Sequence, residues 1–113
     1  HEPRPERVRH EVRALDSANV SQWRERVRIL REERTRLAAG LARVAGISRV
    51  WPSDANFVLV DCADPRNLVR RAHDGRVLVR DFSWDPYLPG CVRITVGSPE
   101  QNTQLLEVLG TTP

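Results

Sequence analysis

The spacing of apolar residues in this 113-residue chain changes at Gly46. Before Gly46 they recur at intervals of three and four, which is typical of one face of an α-helix; the set is Val20, Trp23, Val27, Leu30, Leu37, Leu41 and Val44. After Gly46 the chain turns to short runs rich in β-branched residues, which are typical of strands. We therefore predict an α+β fold, in which a long N-terminal helix precedes a small, mostly antiparallel sheet with helices packed on one face.

The long helix is expected to begin near Asp16, where Ser17, Asn19 or Ser21 can cap it, and to stop at Gly46. Residues 1–15, which carry two prolines and four arginines, are predicted to be a poorly ordered arm, so the domain would occupy residues 16–113. A helix of about 25 residues is nearly 40 Å long. A domain of this size, with a radius of gyration of ~13 Å, cannot cover it. Part of the helix is therefore expected to contact protein outside this chain.

One position in the apolar stripe of this helix is Arg34. A buried guanidinium needs a carboxylate or carbonyl partner. The alternative is an arginine that extends from the edge of the stripe into solvent.

Three strands and two further helices are predicted after the long helix. The strands are residues 56–61, 76–82 and 91–96, and the last two are expected to pair antiparallel across the loop SWDPYLPG. One helix should start at Asp64-Pro65 and run to His73. The other should start at Ser98-Pro99, with Gln101 closing a capping box.

Composition excludes several functions. The net charge is only +3, all 18 positively charged residues are arginine, and without lysine the chain cannot form a Schiff base. No apolar run reaches the ~20 residues of a membrane span. Cys62 and Cys91 lack metal-ligand spacing and are expected to be reduced thiols in a cytoplasmic protein. Because glutamates interrupt the arginines of the long helix, we do not expect nucleic-acid binding. The chain has no HExxH motif and no Cys/His cluster with metal-ligand spacing, so we expect no metal site either.

Two arginines, Arg80 and Arg93, lie on the predicted neighbouring strands. Alternation places Arg93 on the same face as Cys91 and Thr95, and Arg80 on the same face as Phe82. Two adjacent guanidinium groups repel each other unless an anion lies between them, and arginine is suited to bidentate capture of carboxylate or phosphate. From the spacing alone, an anion-binding pair and two solvated arginines remain equally open.

Two long segments carry a family resemblance. PSDANFVLVD and GRVLVRDFSWDPYLPGCVRITVGSPEQNTQLLEVL, together with REERTRLAAGL in the long helix, resemble the C-terminal small domain of histidinol-phosphate aminotransferases. These are pyridoxal-phosphate enzymes of fold type I. The resemblance covers roughly residues 24–110, and its most specific element is GCVRITVG followed by Pro-Glu-x-Asn.

The resemblance implies roles for three residues. Arg93 matches the arginine that binds the substrate's α-carboxylate, Arg80 matches one placed toward the substrate's phosphate end, and Asn56 matches an asparagine near the substrate entrance. It also implies a homodimeric parent enzyme that converts histidinol phosphate and 2-oxoglutarate to imidazole-acetol phosphate and glutamate. A large domain absent from this chain would hold the pyridoxal phosphate on its lysine. No catalytic residue and no covalent cofactor are expected here.

Two alternatives remain open from the sequence. One is a free-standing, non-catalytic α+β module that binds a small anion or a protein partner. The other is the small domain of a related amino-acid transaminase or decarboxylase.

Overall fold

A computed structural model describes residues 16–73 and 79–110 of the chain. In these residues the order is helix α1 (Asp16–Leu41), strands β1 (Ile47–Val50) and β2 (Phe57–Cys62), helix α2 (Pro65–Ala72), strands β3 (Val79–Asp81) and β4 (Cys91–Thr95), and helix α3 (Pro99–Val108). The α+β fold predicted from the sequence is confirmed. None of the helices in these residues is both long enough and apolar enough to cross a membrane.

The sheet has the strand order β1-β2-β4-β3, and every neighbouring pair is antiparallel. One of its faces carries Val58, Val60, Val92 and Ile94, and helices α1, α2 and α3 pack on it. The side chains that complete this core are fully buried leucines: Leu37, Leu41, Leu105 and Leu106. No helix among the described residues packs on the opposite face of the sheet, so the side chains of that face can contact a ligand or another part of a larger protein.

The structure corrects two details of the predicted elements and describes a third only in part. Residues 47–50 form an edge strand that the sequence pattern did not reveal, because ISRV has only two apolar residues and both are partly exposed. Helix α1 ends at Leu41 rather than at Gly46, and turns lead to Gly46 at φ +94°. The strand predicted at 76–82 is described only as Val79–Asp81, and its start lies outside the described residues, as does the predicted arm 1–15.

The first half of α1 extends past the sheet. Val20 is 46% exposed and Trp23 is 62% exposed, whereas Leu37 and Leu41 in the second half are fully buried. The apolar stripe of α1 therefore extends beyond the part of the helix that the sheet and the other helices cover. This agrees with the expectation that α1 is too long for the domain.

A buried polar network joins α1 to the end of β4. The side chain of Asn102, which is completely buried, accepts from the Gly97 N–H at 2.8 Å and donates to the Gly97 carbonyl at 3.0 Å. Its Nδ2 also donates to Glu33 Oε1 at 3.2 Å, and Glu33 forms an ion pair with Arg36 at 2.6 Å. The network fixes the chain just after the strand that carries Arg93.

Candidate anion-binding site

Arg80 and Arg93 are direct cross-strand partners. Arg80 on β3 lies opposite Arg93 on β4 in the antiparallel register, on the face of the sheet that the helices leave open. Side chains in such positions have Cβ atoms about 5 Å apart. The structure therefore brings together the two arginines whose spacing the sequence singled out.

The pair has no counter-charge in the described part of the chain. No Asp or Glu carboxylate in residues 16–73 and 79–110 forms an ion pair with either guanidinium; the pairs present there involve Arg28 and Arg36. Like charges placed directly opposite on a sheet destabilise it. An anion bound between the two guanidinium groups would remove that repulsion and accept several charge-assisted hydrogen bonds.

The two arginines differ in their surroundings. Arg80 is exposed, but Arg93 is partly buried on a central strand, and its guanidinium carbon lies 5.3 Å from the ring centroid of Phe57 and 5.8 Å from that of Phe82. These distances are within the range of cation–π attraction. Arg93 is therefore the more restrained of the two.

Asn56 lies outside this cluster. It directly precedes β2 and is exposed, and its carbonyl accepts the N–H of Val96, three residues along β4 from Arg93. Three strand residues correspond to about 10 Å. The segment is held by Arg34, which donates to the Ala55 carbonyl at 3.2 Å; of the two alternatives left open for Arg34, the structure has the one with a carbonyl partner.

A groove of about 490 Å³ adjoins the arginine pair. It runs between Trp51 at the end of β1 and the loop that joins β3 to β4, with Leu59 and Tyr87 among its walls. Leu59 is the cross-strand partner of Arg93 on β2, so one wall of the groove lies beside the cationic pair, and Asp61 also lines the groove. Tyr87 is 90% exposed and Trp84 in the same loop is 75% exposed.

Cys62 and Cys91 are both buried, and neither forms a disulfide in the described part of the chain. Burial, with the Asp81 and Asp61 carboxylates nearby, raises the pKa of Cys62 to about 11. Burial and Asp61 also raise the pKa of Cys91, which lines the groove together with Leu88 and Pro89. At neutral pH neither cysteine is a thiolate nucleophile. The described residues contain no group of three or more metal-ligating side chains.

The buried thiols give a prediction. At pH 8, alkylation of Cys62 and Cys91 by iodoacetamide should be at least about tenfold slower in the folded protein than in urea, because the thiolate is scarce and shielded. The folded pKa of Cys62 exceeds its unfolded value of ~8.5. Its contribution to stability is thus present below that pH and is lost as the pH rises toward 11. Mass spectrometry of timed samples measures the rates; equal rates in both states would contradict the assignment.

The aromatic neighbours of Arg93 were not predicted as site residues. Alternation already placed Phe82 on the face of Arg80, but the contact with Arg93 depends on the register between β3 and β4, which the sequence does not define. Phe57 reaches Arg93 because β2 and β4 are neighbours although they are not consecutive in the chain.

Comparison with known proteins gives a consistent family. Residues 11–109 match the family model described as aminotransferase class I and II. The histidinol-phosphate aminotransferase of Xylella fastidiosa strain 9a5c is 43% identical over 95 residues, which are 84% of this chain and 26% of that protein. The histidinol-phosphate aminotransferase of Salmonella arizonae is 32% identical over 102 residues, which are 90% of this chain and 28% of that protein.

A solved structure has the same fold. The crystal structure of the histidinol-phosphate aminotransferase from Clostridium acetobutylicum superposes with a TM-score of 0.62 at 25% identity, over 71% of this chain and 25% of that one. The chain thus spans about a quarter of the length of the relatives that it matches.

Proposed function

Because this chain belongs to the aminotransferase class I and II family, we propose that it is the small C-terminal domain of a pyridoxal-phosphate-dependent aminotransferase that acts on histidinol phosphate. Its role there is to bind the anionic groups of the substrates. The observation that carries this proposal is the cross-strand pair of Arg80 and Arg93, which has no carboxylate partner among the described residues.

The chemistry of the two substrates suits a pair of unequal arginines. Glutamate presents an α-carboxylate, which a single guanidinium binds with two parallel hydrogen bonds. Histidinol phosphate has a phosphate ester on the carbon that replaces this carboxylate, and a phosphate dianion can accept from two guanidinium groups at once. In this proposal the restrained Arg93 binds the anionic group in both half-reactions, and the exposed Arg80 adds its charge when that group is phosphate. Asn56 would lie at the substrate entrance.

The cofactor is assigned to the rest of the enzyme. Pyridoxal phosphate, when bound, carries the amino group and acts as the electron sink. Enzymes of this family attach it to a lysine, and this chain contains none, so its residues do not fit covalent attachment. What this chain does is bind and orient the substrate at a fixed distance from the reacting centre. The large domain would also cover the exposed stripe of α1, and the whole enzyme would be a cytoplasmic homodimer.

The test uses the full-length enzyme and its Arg80→Ala variant. We expect kcat/KM for histidinol phosphate to fall about thirtyfold, because one charge-assisted phosphate contact is lost, and kcat/KM for glutamate to fall less than threefold. Spectrophotometric assays of the two half-reactions give both values. The matched control is Arg49→Ala. The Arg49 side chain lies on the same face of the sheet and its guanidinium stacks on the Trp51 ring at 3.6 Å, so this variant removes an arginine from that face but leaves Arg80 and Arg93 in place.

Two results would contradict the proposal. One is a full-length protein that transfers no amino group from histidinol phosphate to 2-oxoglutarate. The other is an Arg80→Ala variant in which the two half-reactions fall equally, since this would remove the distinction between the two arginines.

A further inference from the structure

We propose that Phe57 and Phe82 are positioning residues, which hold the Arg93 guanidinium by cation–π attraction in the orientation that receives the substrate carboxylate. The inference rests on the proposed function and adds to it a specific cause for the affinity of the site. It concerns two side chains that do not themselves reach the substrate anion in this scheme.

The register places the two rings on opposite sides of Arg93. Phe57 on β2 pairs with Thr95, two residues to one side of Arg93 along β4. Phe82 follows β3 and donates its N–H to the Cys91 carbonyl at 2.9 Å, two residues to the other side. The guanidinium carbon is 5.3 Å from one ring centroid and 5.8 Å from the other. Both distances are within the ~6 Å limit for this attraction.

Each of the two phenylalanines is held by groups other than Arg93. The carbonyl of Phe57 accepts from Ser53 Oγ at 2.6 Å, and this hydroxyl also accepts from the Ala55 N–H at 3.1 Å. The Phe82 ring packs on Trp84 with centroids 6.2 Å apart and an interplanar angle of 37°. The backbone of Phe57 and the ring of Phe82 are therefore each held independently of Arg93.

The contact of both rings with Arg93 has two effects on anion binding. An arginine side chain loses rotamer freedom when it binds a ligand, and a side chain that is already restrained loses less. The negative ring faces also offset the repulsion from Arg80 while no anion is bound. In the described part of the chain no ring lies over Arg80, so the restraint applies to Arg93 alone.

A fluorination series at position 82 tests the electrostatic part of this idea. Phe82 in the full-length enzyme is replaced by mono-, di- and trifluorophenylalanine, which keep the ring's shape and progressively weaken its negative face. We expect the Kd for 2-oxoglutarate, measured by titration calorimetry, to rise step by step to about five times its original value. Phe82→Tyr should remain near the original Kd, and Phe82→Leu should match the trifluoro variant. Fluorination of Trp23, which is exposed on α1 and lines neither the groove nor the arginine pair, is the control and should leave Kd unchanged.

The possible outcomes separate this inference from the proposed function. A Kd that stays flat across the fluorinated series, while Arg93→Ala still weakens 2-oxoglutarate binding, overturns the role of the rings and leaves the arginine site intact. A Kd that Arg93→Ala does not change overturns the proposed function itself. A graded rise at position 82 with no change at position 23 supports the inference, and an equal rise at both positions contradicts it.

Discussion

Replacing Arg93 with alanine in the full-length enzyme should lower kcat/KM by roughly a hundredfold to a thousandfold for both histidinol phosphate and glutamate. Arg93 is partly buried on a central strand, and its removal leaves a bound carboxylate or phosphate without its bidentate partner. Truncating one member of such a charge pair costs about 2 to 5 kcal/mol, and each 1.4 kcal/mol is a factor of ten.

Arg93→Lys separates charge from geometry. Lysine keeps the positive charge but cannot form two parallel hydrogen bonds, and a point charge suits a phosphate better than a planar carboxylate. We therefore expect this variant to recover more activity with histidinol phosphate than with glutamate. Circular dichroism spectra of both variants, compared with that of the unsubstituted enzyme, check that each variant is folded. An unchanged kcat/KM in Arg93→Ala would refute the role of Arg93 as the substrate anchor.

The parts of the fold that follow from local rules were predictable from the sequence. Helix α3 begins with the predicted capping box, in which Ser98 and Gln101 bond each other's backbone N–H groups. Helix α2 begins at Pro65 with Asp64 as its cap. In both cases the residues that fix the helix start are neighbours in the chain, so their geometry does not depend on tertiary structure.

The parts that were missed depend on contacts between distant residues. The edge strand Ile47–Val50 has a weak apolar pattern and is defined by its pairing with β2. The aromatic neighbours of Arg93 were missed for the same reason. Strand β4 lies between β2 and β3 in the sheet, and no local sequence pattern specifies that order. Sequence reasoning therefore singled out the two arginines of the candidate site but not the rings that contact one of them.

The hydrogen-bond network around Asn102 also depends on residues that are distant in the chain, so the sequence alone did not reveal it. The Pro-Glu-x-Asn motif marked the residue, but its role appears only once Glu33 of α1 and Gly97 are seen beside it. A buried amide that makes three hydrogen bonds is sensitive to chemical change, because any replacement leaves partners unsatisfied. The network holds the end of β4, so it contributes to both stability and the placement of Arg93.

Asn102→Asp should therefore lower the free energy of unfolding by about 3 to 5 kcal/mol, a large share of the roughly 5 to 15 kcal/mol of a typical domain. The substitution removes both donated hydrogen bonds and places a second carboxylate beside Glu33, whose pKa the Arg36 hydrogen bond already holds below its usual value. Urea unfolding followed by tryptophan fluorescence measures the loss.

Two controls define the cause of the Asn102→Asp effect. Asn19→Asp makes the same chemical change at an exposed position in the first turns of α1, where a negative charge is favourable, and should alter the free energy of unfolding by less than about 0.5 kcal/mol. Adding Glu33→Gln to Asn102→Asp removes the like charge and should recover part of the loss, because the two side chains interact directly. The double variant should also lose less stability than the sum of the two single changes. Strict additivity would show that Glu33 and Asn102 are not coupled and that the buried network described above does not act as a unit.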